Sequence, residues 1–341
     1  MRLNSVLLLC CCAAFAQNGS APAGGKVERI KVHGKALEGN LEGDSPDRDV
    51  TIYLPPSYAR ANARRYPVVY LLHGYTGDDS RFKIRFNLPD GAEKALSNGS
   101  AKEMILVMPN AYTVYQGSMF SNSPVTGDWE AYVSHDLVEY MDGHYRTIAD
   151  RRSRGLAGHS MGGYGTIRIA LKHPEVFSSI YLLSPCCMTA NLNPSAQSMA
   201  RAGAIKTPAE GTKADFGTGA AIASAAAWSP NPKRPPLYFD LPIEDGELKP
   251  AVVAKWAANA PLAMVDQYVP SLKKLTAIGM DAGDKDEPIA TTVRTLDRML
   301  TDYGIAHGFG IYEGDHNNRI GERVETKMLP FFSTNLEFAA R

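Results

Sequence analysis

Short, almost wholly apolar segments alternate with amphipathic segments along most of this chain. The apolar segments span residues 67–72, 104–108, 179–183 and 275–280, and each has the length of a strand buried on both faces. Residues 129–145 and 291–303 instead carry apolar side chains at helical spacing. Strands that alternate with helices imply parallel crossovers. The pattern therefore predicts an α/β fold with a doubly wound, mostly parallel sheet.

The N-terminal region has a different pattern. Residues 27–32 and 49–54 alternate polar and apolar side chains, which predicts an antiparallel hairpin at a sheet edge. Residues 17–26 are rich in Gly, Ser and Ala and are interpreted as a flexible leader. Order is expected to begin near Val27, so the predicted folded domain spans residues 27–341.

The alternation of strands and helices breaks between residues 189 and 261. This segment is rich in Ala and Pro and contains Trp228 and Trp256. Long excursions in compact α/β enzymes often form lids or binding walls. Residues 189–261 are therefore interpreted as an inserted cap over the sheet and not as a separate domain.

Composition narrows the classes of partner. The 341 residues include 36 basic and 36 acidic side chains, so no net field attracts nucleic acid or an anionic membrane surface. No segment after the N-terminus reaches the roughly 18 uninterrupted apolar residues of a membrane span. A small or neutral partner is expected, while the oligomeric state is left open by the sequence.

The first residues predict export. Arg2 precedes an apolar run over residues 6–15, and Ala14 and Ala16 are the small residues of a cleavage site before Gln17. Residues 1–16 are therefore predicted to be a cleaved signal peptide, which places the protein outside the cell or in a periplasm. Lipoprotein processing is the rival interpretation, because three cysteines lie in the apolar run, but none follows the small residue that this processing requires.

Cleavage would leave the mature chain with two cysteines, the neighbours Cys186 and Cys187. Adjacent cysteines seldom form an unstrained disulfide. They are interpreted as small buried thiols at the end of a core strand, so the fold is not expected to depend on disulfides.

The strongest chemical signal is the sequence Gly-His-Ser-Met-Gly at residues 158–162, between a predicted strand and a predicted helix. Glycines on both sides of Ser160 permit the tight, strained turn that exposes a serine hydroxyl. The following helix directs its positive end toward the same point. Ser160 is therefore predicted to be a nucleophile.

A serine nucleophile needs a base, and that base needs a partner that fixes its tautomer. Three histidines follow Ser160 in the chain. His173 lies in the helix after the nucleophile and His307 precedes the last predicted strand. His316 follows that strand and is the predicted base.

The acid is expected after the apolar segment 275–280, where four carboxylates follow: Asp281, Asp284, Asp286 and Glu287. The first of them lie close to the predicted strand end, and a turn at Gly283 would bring a later one back toward the base. Asp286 is preferred, with Asp284 as the alternative.

Ester hydrolysis also needs donors for the tetrahedral oxyanion. The backbone N–H of Met161 follows the nucleophile, and the glycine-rich residues 73–77 follow an apolar strand. The N–H groups of Tyr75 and Met161 are the predicted oxyanion hole. His73 is expected to stabilise its own loop.

The substrate pocket is less well specified. Trp129, together with Trp228 or Trp256, and His159 beside the nucleophile are candidate substrate contacts, with core packing as the alternative for each tryptophan. The sequence contains no zinc-protease, Cys-x-x-Cys, dinucleotide or phosphate-loop motif, so no metal and no cofactor is predicted.

These motifs together resemble the esterase D and feruloyl-esterase-like family of α/β-hydrolases, which includes acetyl and feruloyl esterases, S-formylglutathione hydrolases and mycolyltransferases. The matching segments are residues 70–74, 127–129, 144–147, 155–163, 283–286 and 314–316. The resemblance implies an α/β-hydrolase fold, the acid at the last residue of the Gly-x-x-Asp turn, which is Asp286, and the base at His316.

Three functions are compatible with these residues. The first is hydrolysis of short-chain acyl or aromatic esters of acetyl or feruloyl type, on small molecules or polysaccharides, through an acyl-enzyme. The second keeps the same triad but transfers the acyl group to a sugar hydroxyl. The third is a noncatalytic binding module built on a hydrolase fold. The predicted signal peptide disfavours the cytosolic S-formylglutathione hydrolases.

Overall fold

A computed structural model of the protein describes residues 24–189 and 196–339, without the side chain of residue 196. The predicted signal peptide and residues 17–23 of the predicted leader lie outside the described residues. Within them, eight strands form one sheet in the order β1-β2-β4-β3-β5-β6-β7-β8. The strands are β1 (Lys26–His33), β2 (Asp47–Leu54), β3 (Val68–Leu72), β4 (Ile105–Pro109), β5 (Arg154–His159), β6 (Ser179–Leu183), β7 (Ala277–Gly283) and β8 (Gly308–Tyr312).

The predicted edge hairpin is confirmed. Strand β1 is at the edge and pairs antiparallel with β2 from Lys26↔Leu54 to His33↔Asp47. Strand β2 also pairs antiparallel with β4. The pairs from β4 through β3, β5, β6 and β7 to β8 are all parallel. The sheet is therefore mixed but mostly parallel, as the alternating pattern predicted.

Helices cover both faces of the sheet. Alternate residues of β3 belong to two separate apolar clusters, because successive side chains of a strand point to opposite faces. The helices are α1 (Arg81–Ile84), α2 (Leu88–Ser97), α3 (Trp129–Ala131), α4 (Leu137–His144), α5 (Met161–Lys172), α6 (Ala196–Ala204), α7 (Pro208–Thr212), α8 (Phe216–Trp228), α9 (Pro250–Ala258), α10 (Pro261–Leu272), α11 (Ile289–Asp302), α12 (Ile320–Arg323) and α13 (Leu329–Asn335). No helix among the described residues is long and apolar enough to cross a bilayer.

Strand β7 departs from the predicted boundaries. It runs to Gly283, three residues beyond the predicted end at residue 280, and therefore includes Asp281. The carboxylate of Asp281 is buried, accepts a hydrogen bond from the Tyr181 hydroxyl at 2.8 Å and pairs with Arg323 at 2.8 Å. An acidic residue inside a strand looks like the start of a loop in sequence, because its buried partners lie far away along the chain.

Residues 196–258 leave the sheet between β6 and β7 and are called the covering segment below. They form α6, α7, α8, α9 and a short two-stranded pair, Ile243–Glu244 with Glu247–Leu248. Helix α8 is buried over most of its length, and the carbonyl of Ala226 accepts a 2.6 Å hydrogen bond from Ser123 of the main body. The described part of the segment predicted to be a cap thus contains helices and a short strand pair, and α8 contacts the remainder of the chain.

Candidate active site

Ser160 occupies a strained turn between β5 and α5. Its backbone has φ 57° and ψ −117°, a region that non-glycine residues rarely adopt. The turn requires glycine on both sides. A Cβ on Gly158 would lie 2.3 Å from the carbonyl carbon of Gly162, and a Cβ on Gly162 would lie 1.9 Å from the Leu72 carbonyl oxygen. The Gly-x-Ser-x-Gly sequence is therefore a steric requirement of this turn.

Three predicted residues come together at the carboxyl ends of the strands. The hydroxyl of Ser160 lies 2.9 Å from Nε2 of His316. Nδ1 of His316 lies 2.8 Å from Oδ2 of Asp286, whose side chain is largely buried. A carboxylate beside Nδ1 accepts a hydrogen bond from Nδ1–H. In this tautomer of the neutral imidazole, Nε2 carries no hydrogen and faces the serine hydroxyl. This arrangement can accept the serine proton.

The loops carrying Asp286 and His316 brace each other. Strands β7 and β8 are neighbours, with Gly283 paired to Tyr312. Beyond them, the N–H of Lys285 donates to the Gly314 carbonyl at 2.9 Å, and Oδ1 of Asp284 accepts the Gly314 N–H at 2.9 Å. Asp284, the alternative acid, thus bonds to the loop backbone, whereas Asp286 bonds to the imidazole.

His159 lies beneath the histidine loop and does not face the cleft. Its Nε2 donates a 2.8 Å hydrogen bond to the backbone carbonyl of His316, and its ring centroid lies 4.7 Å from that of His316. Burial, followed by the nearby His316, lowers the pKa of His159 to about 3. The structure therefore places His159 as a neutral support for the His316 backbone, in place of the predicted substrate contact.

The loop after β3 approaches the nucleophile closely. A Cβ on Gly74 would lie 3.2 Å from Cβ of Ser160. The buried His73 holds this loop, since Nδ1 donates to the Gly74 carbonyl at 2.8 Å and Nε2 accepts the Ala111 N–H at 2.8 Å. Burial lowers the pKa of His73 to about 4, which keeps its Nε2 free to accept this bond at neutral pH.

The two predicted oxyanion donors border the same cleft as Ser160. Tyr75 and Met161 both line that cleft. Met161 is the first residue of α5, and the first N–H groups of a helix have no partner within it. Within the described part of the chain, neither the Tyr75 nor the Met161 backbone N–H donates a hydrogen bond. Two free donors and the positive end of a helix favour negative charge beside Ser160.

The cleft beside Ser160 has a volume of about 300 Å³ and is mostly apolar. One wall is the face of α8 formed by Phe216, Ala220 and Ser224, which are spaced four residues apart. The remaining lining residues are Tyr75, Met119, Met161, Cys186, Cys187, Asp286, Ile289 and His316. The covering segment thus supplies part of the wall of the cleft that contains the triad.

The three tryptophans do not line this cleft. Trp129 is fully buried and donates from Nε1 to the Thr126 carbonyl at 2.8 Å. Trp228 and Trp256 pack edge to face with centroids 5.2 Å apart. The structure therefore places Trp129 in the core and not at the predicted substrate contact, because its ring and its N–H are both used in internal packing.

Other candidates lie away from Ser160. His173 caps the far end of α5, and His307 bonds to Asp297 at 2.9 Å before β8 begins. A larger groove of about 830 Å³ is lined by residues 199–200, 202–206, 233–237, 239, 241 and 243–246 of the covering segment and contains none of Ser160, Asp286 and His316. Among the described residues, Ser160, Asp286 and His316 converge at the smaller cleft.

Sequence reasoning missed most of the cleft lining. Cys186 and Cys187 follow β6 as expected, but they are half-buried and border the cleft. The spacing of Phe216, Ala220 and Ser224 is a helical pattern visible in the sequence. The sequence around this helix, however, does not indicate that its face turns toward a serine more than fifty residues earlier.

The sequence is similar to that of known esterases. Residues 45–320 match the sequence model of a family described as "Putative esterase". An endo-1,4-beta-xylanase/feruloyl esterase of Xylanibacter ruminicola is 30% identical over 138 residues, covering 39% of this chain and 19% of that protein. An esterase of Mycobacterium tuberculosis is 33% identical over 131 residues, covering 38% of this chain and 27% of that protein.

The chain therefore spans well under half the length of these curated relatives. Among solved structures, a ferulic acid esterase superposes with a TM-score of 0.67 at 22% identity, covering 92% of this chain and 99% of that one. This similarity confirms the predicted α/β-hydrolase fold.

Proposed function

The chain belongs to the esterase family whose model spans residues 45–320, and from this membership we propose that it hydrolyses carboxylic esters through an acyl-enzyme. Ser160 is the nucleophile, His316 the general base and Asp286 the residue that orients that base. The observation that carries the proposal is the continuous contact from Ser160 Oγ through the His316 ring to Asp286, at 2.9 and 2.8 Å.

Acylation follows from these contacts. As Oγ of Ser160 attacks the ester carbonyl carbon, Nε2 of His316 takes the hydroxyl proton. The carbonyl oxygen becomes an oxyanion, which the N–H groups of Tyr75 and Met161 stabilise by hydrogen bonds. His316 then donates the proton to the leaving alkoxide, and the alcohol departs. Asp286 stabilises the imidazolium during this step through its contact with Nδ1.

Deacylation repeats the same steps with water. A water molecule takes the place of the alcohol, transfers a proton to Nε2 of His316 and attacks the acyl carbon. The second oxyanion uses the same two donors, and its collapse returns the proton to Oγ of Ser160. Acid is released and the free serine is restored, so no metal or cofactor enters the balance.

The cleft supports a small acyl group as substrate. Its volume of about 300 Å³ lies at the lower end of small-molecule sites, and its lining is mostly apolar. A short acyl chain or a single aromatic ring matches both properties. The names of two similar proteins, a xylanase/feruloyl esterase and a ferulic acid esterase, favour feruloyl esters, including those on a polysaccharide, as the first class to test.

Export by the predicted signal peptide at residues 1–16 is part of the same proposal. An ester on an extracellular polysaccharide would be accessible to a secreted or periplasmic enzyme, which is consistent with the predicted signal peptide. Nucleic acid has no place in the proposal, since the 36 basic and 36 acidic residues cancel.

The test is a matched ester panel assayed with wild type and Ser160→Ala. The panel contains 4-nitrophenyl acetate, butyrate and octanoate together with methyl ferulate. We expect Ser160→Ala to lower kcat/KM by about 10⁴-fold or more, because the covalent route is lost. Thermal melting of both proteins serves as the folding control. Hydrolysis by Ser160→Ala at the wild-type rate would refute the mechanism, and acyl transfer to an added sugar in preference to water would identify a transferase.

A further inference from the structure

Two free thiols lie together in the wall of the proposed acyl cleft. Cys186 and Cys187 are unpaired, half-buried and both border the cleft that contains Ser160. Their Sγ atoms are 2.7 Å apart. Neither the triad nor the oxyanion donors use these sulfur atoms, so the proposed hydrolysis leaves them without a role.

The backbone explains why both side chains reach one cleft. In an extended chain, adjacent side chains point to opposite sides. Cys187 breaks this alternation because its φ is 58°, in the left-handed region. The preceding residue is anchored to the nucleophile turn, since the N–H of Cys186 donates to the Ser160 carbonyl at 3.1 Å. The turn at Cys187 therefore holds the two sulfur atoms side by side, close to Ser160.

We propose that Cys186 and Cys187 form a vicinal dithiol site that captures trivalent arsenoxides and thereby blocks the acyl cleft. The reaction is R–As=O plus two thiols giving R–As(S–Cys186)(S–Cys187) plus water. Two As–S bonds form, the As=O oxygen leaves as water with both thiol protons, and arsenic remains trivalent. No oxidant or reductant is needed.

The protonation state of Cys186 favours this chemistry over reactions of a single thiolate. The contact with Cys187, followed by burial, raises the pKa of Cys186 above its usual range, so it is a neutral thiol at physiological pH. A neutral thiol is a poor nucleophile toward alkylating reagents. Condensation with an arsenoxide uses two thiols with their protons, and closing the ring on one preorganised pair favours it further.

The position of the two thiols explains why captured arsenic would block the cleft. The captured arsenic would be bonded to two side chains that share the cleft of about 300 Å³ with Ser160 and His316. With phenylarsine oxide, the phenyl ring would occupy the volume that the acyl group needs. Only the blockage rests on the proposed esterase activity, because capture itself is measured by mass.

The experiment uses the full chain with Cys10, Cys11 and Cys12 replaced by Ser, which leaves Cys186 and Cys187 as the only cysteines of the sequence. The reduced protein is treated with phenylarsine oxide and analysed by intact mass, and peptide mapping locates the adduct. The same steps are applied to Cys186→Ser and Cys187→Ser in this background. Ester hydrolysis by each variant is compared with its own untreated sample.

We expect one phenylarsenic group per chain, replacing two hydrogens, and a loss of hydrolysis of more than tenfold. A dithiol such as 2,3-dimercaptopropanol should restore activity, whereas a monothiol at the same thiol concentration should not. Each single Ser variant should bind at least tenfold more weakly, because it cannot close the ring.

Absence of the adduct, or equal binding by the single Ser variants, would overturn the dithiol site. A stoichiometric adduct with full hydrolysis would overturn the blockage. If the untreated protein hydrolyses no ester, the proposed function fails, and the mass measurement still decides whether the pair captures arsenic.

Discussion

Two parts of the molecule meet at Ser160, and they tolerate change differently. The loops of the proposed active site, called the catalytic loops, are residues 73–77, 158–163, 283–288 and 312–316. They lie at the carboxyl ends of strands of one sheet, where close backbone contacts and the buried side chains of His73 and His159 hold them. A Cβ on Gly162 would lie 1.9 Å from Leu72 oxygen, and one on Gly283 would lie 2.3 Å from Gly314 oxygen. The covering segment instead contacts the cleft through side chains of α8.

This difference indicates a division of roles. In the proposed mechanism the catalytic loops position the atoms that react, where an error of an ångström is costly, and close backbone contacts restrict their movement. The covering segment shapes the volume that receives the acyl group, and a change of side chain there alters volume without moving the triad. We therefore expect chemistry to depend on the loops and acyl preference on α8.

The largest effect should separate two neighbouring carboxylates of the catalytic loops. Asp286→Asn removes the charge that orients and stabilises the His316 ring, so we expect kcat to fall by about 10³–10⁴-fold. Asp284→Asn is the matched control, because among the described residues that side chain bonds to the Gly314 N–H and not to His316. Its kcat should stay within about tenfold of wild type. Steady-state kinetics on one short-chain ester measures both, and equal losses would mean that Asp286 has no special role.

The next prediction compares how an alanine substitution of one glycine in each region changes stability. Gly162→Ala drives a Cβ against the Leu72 carbonyl, so we expect loss of folding or destabilisation by about 3 kcal/mol or more. Gly203→Ala in α6 meets only Leu241 Cδ1 at 3.9 Å and should stabilise the fold by about 0.5–1 kcal/mol. Urea unfolding of both variants checks the difference. A well-folded, active Gly162→Ala would contradict the contrast between the two regions.

Acyl preference should respond to α8. Ala220→Leu adds volume to the middle of the cleft wall, so we expect kcat/KM for methyl ferulate to fall by about 10–100-fold, with acetate hydrolysis changed much less. Ser224→Ala lies one turn further along the same face. It does not narrow the cleft, because alanine is no larger than serine, so it serves as the control. The ester panel measures the ratio for each variant. A parallel loss on every ester would show that α8 supports the triad and not the acyl group.

The smallest effect concerns the support beneath His316. The folded-state pKa of His159 is about 3, below the unfolded value of roughly 6.5. The unfolded chain therefore binds a proton that the folded chain does not, and stability falls as pH decreases from about 6.5 toward 3. One such group contributes a slope of about 1.4 kcal/mol per pH unit.

His159→Gln retains an N–H to donate to the His316 carbonyl but does not titrate. It should flatten the dependence of the unfolding free energy on pH by about that slope between pH 6.5 and 4.5. The exposed His33, whose pKa is raised by Asp47 and then Glu38, provides the control, since His33→Gln should not flatten the curve. Urea unfolding at several pH values measures this dependence for each variant. If the slope of unfolding free energy against pH in His159→Gln equals that of wild type, His159 is protonated in the folded protein.

Much of the fold could be predicted because its signals are local. Apolar segments of strand length located β3, β4 and β6 within about one residue. The end of β7 was misplaced, since the buried partner of Asp281 is Arg323, 42 positions away. The substrate contacts were misplaced for the same reason. A sequence shows that Trp129 is apolar and near a motif, but not whether its ring faces a cleft or the core.

By itself, the sequence determined the strained serine turn, the chain order of Ser160, Asp286 and His316, and the doubly wound sheet. These features depend on glycine sterics, strand periodicity and chain order, which act over a few residues or through one sheet edge. Only the tertiary structure decided that His159 supports His316, that Trp129 lies in the core, and that α8 and two thiols border Ser160. Those positions result from many weak contacts between distant segments, and no short stretch of sequence encodes their sum.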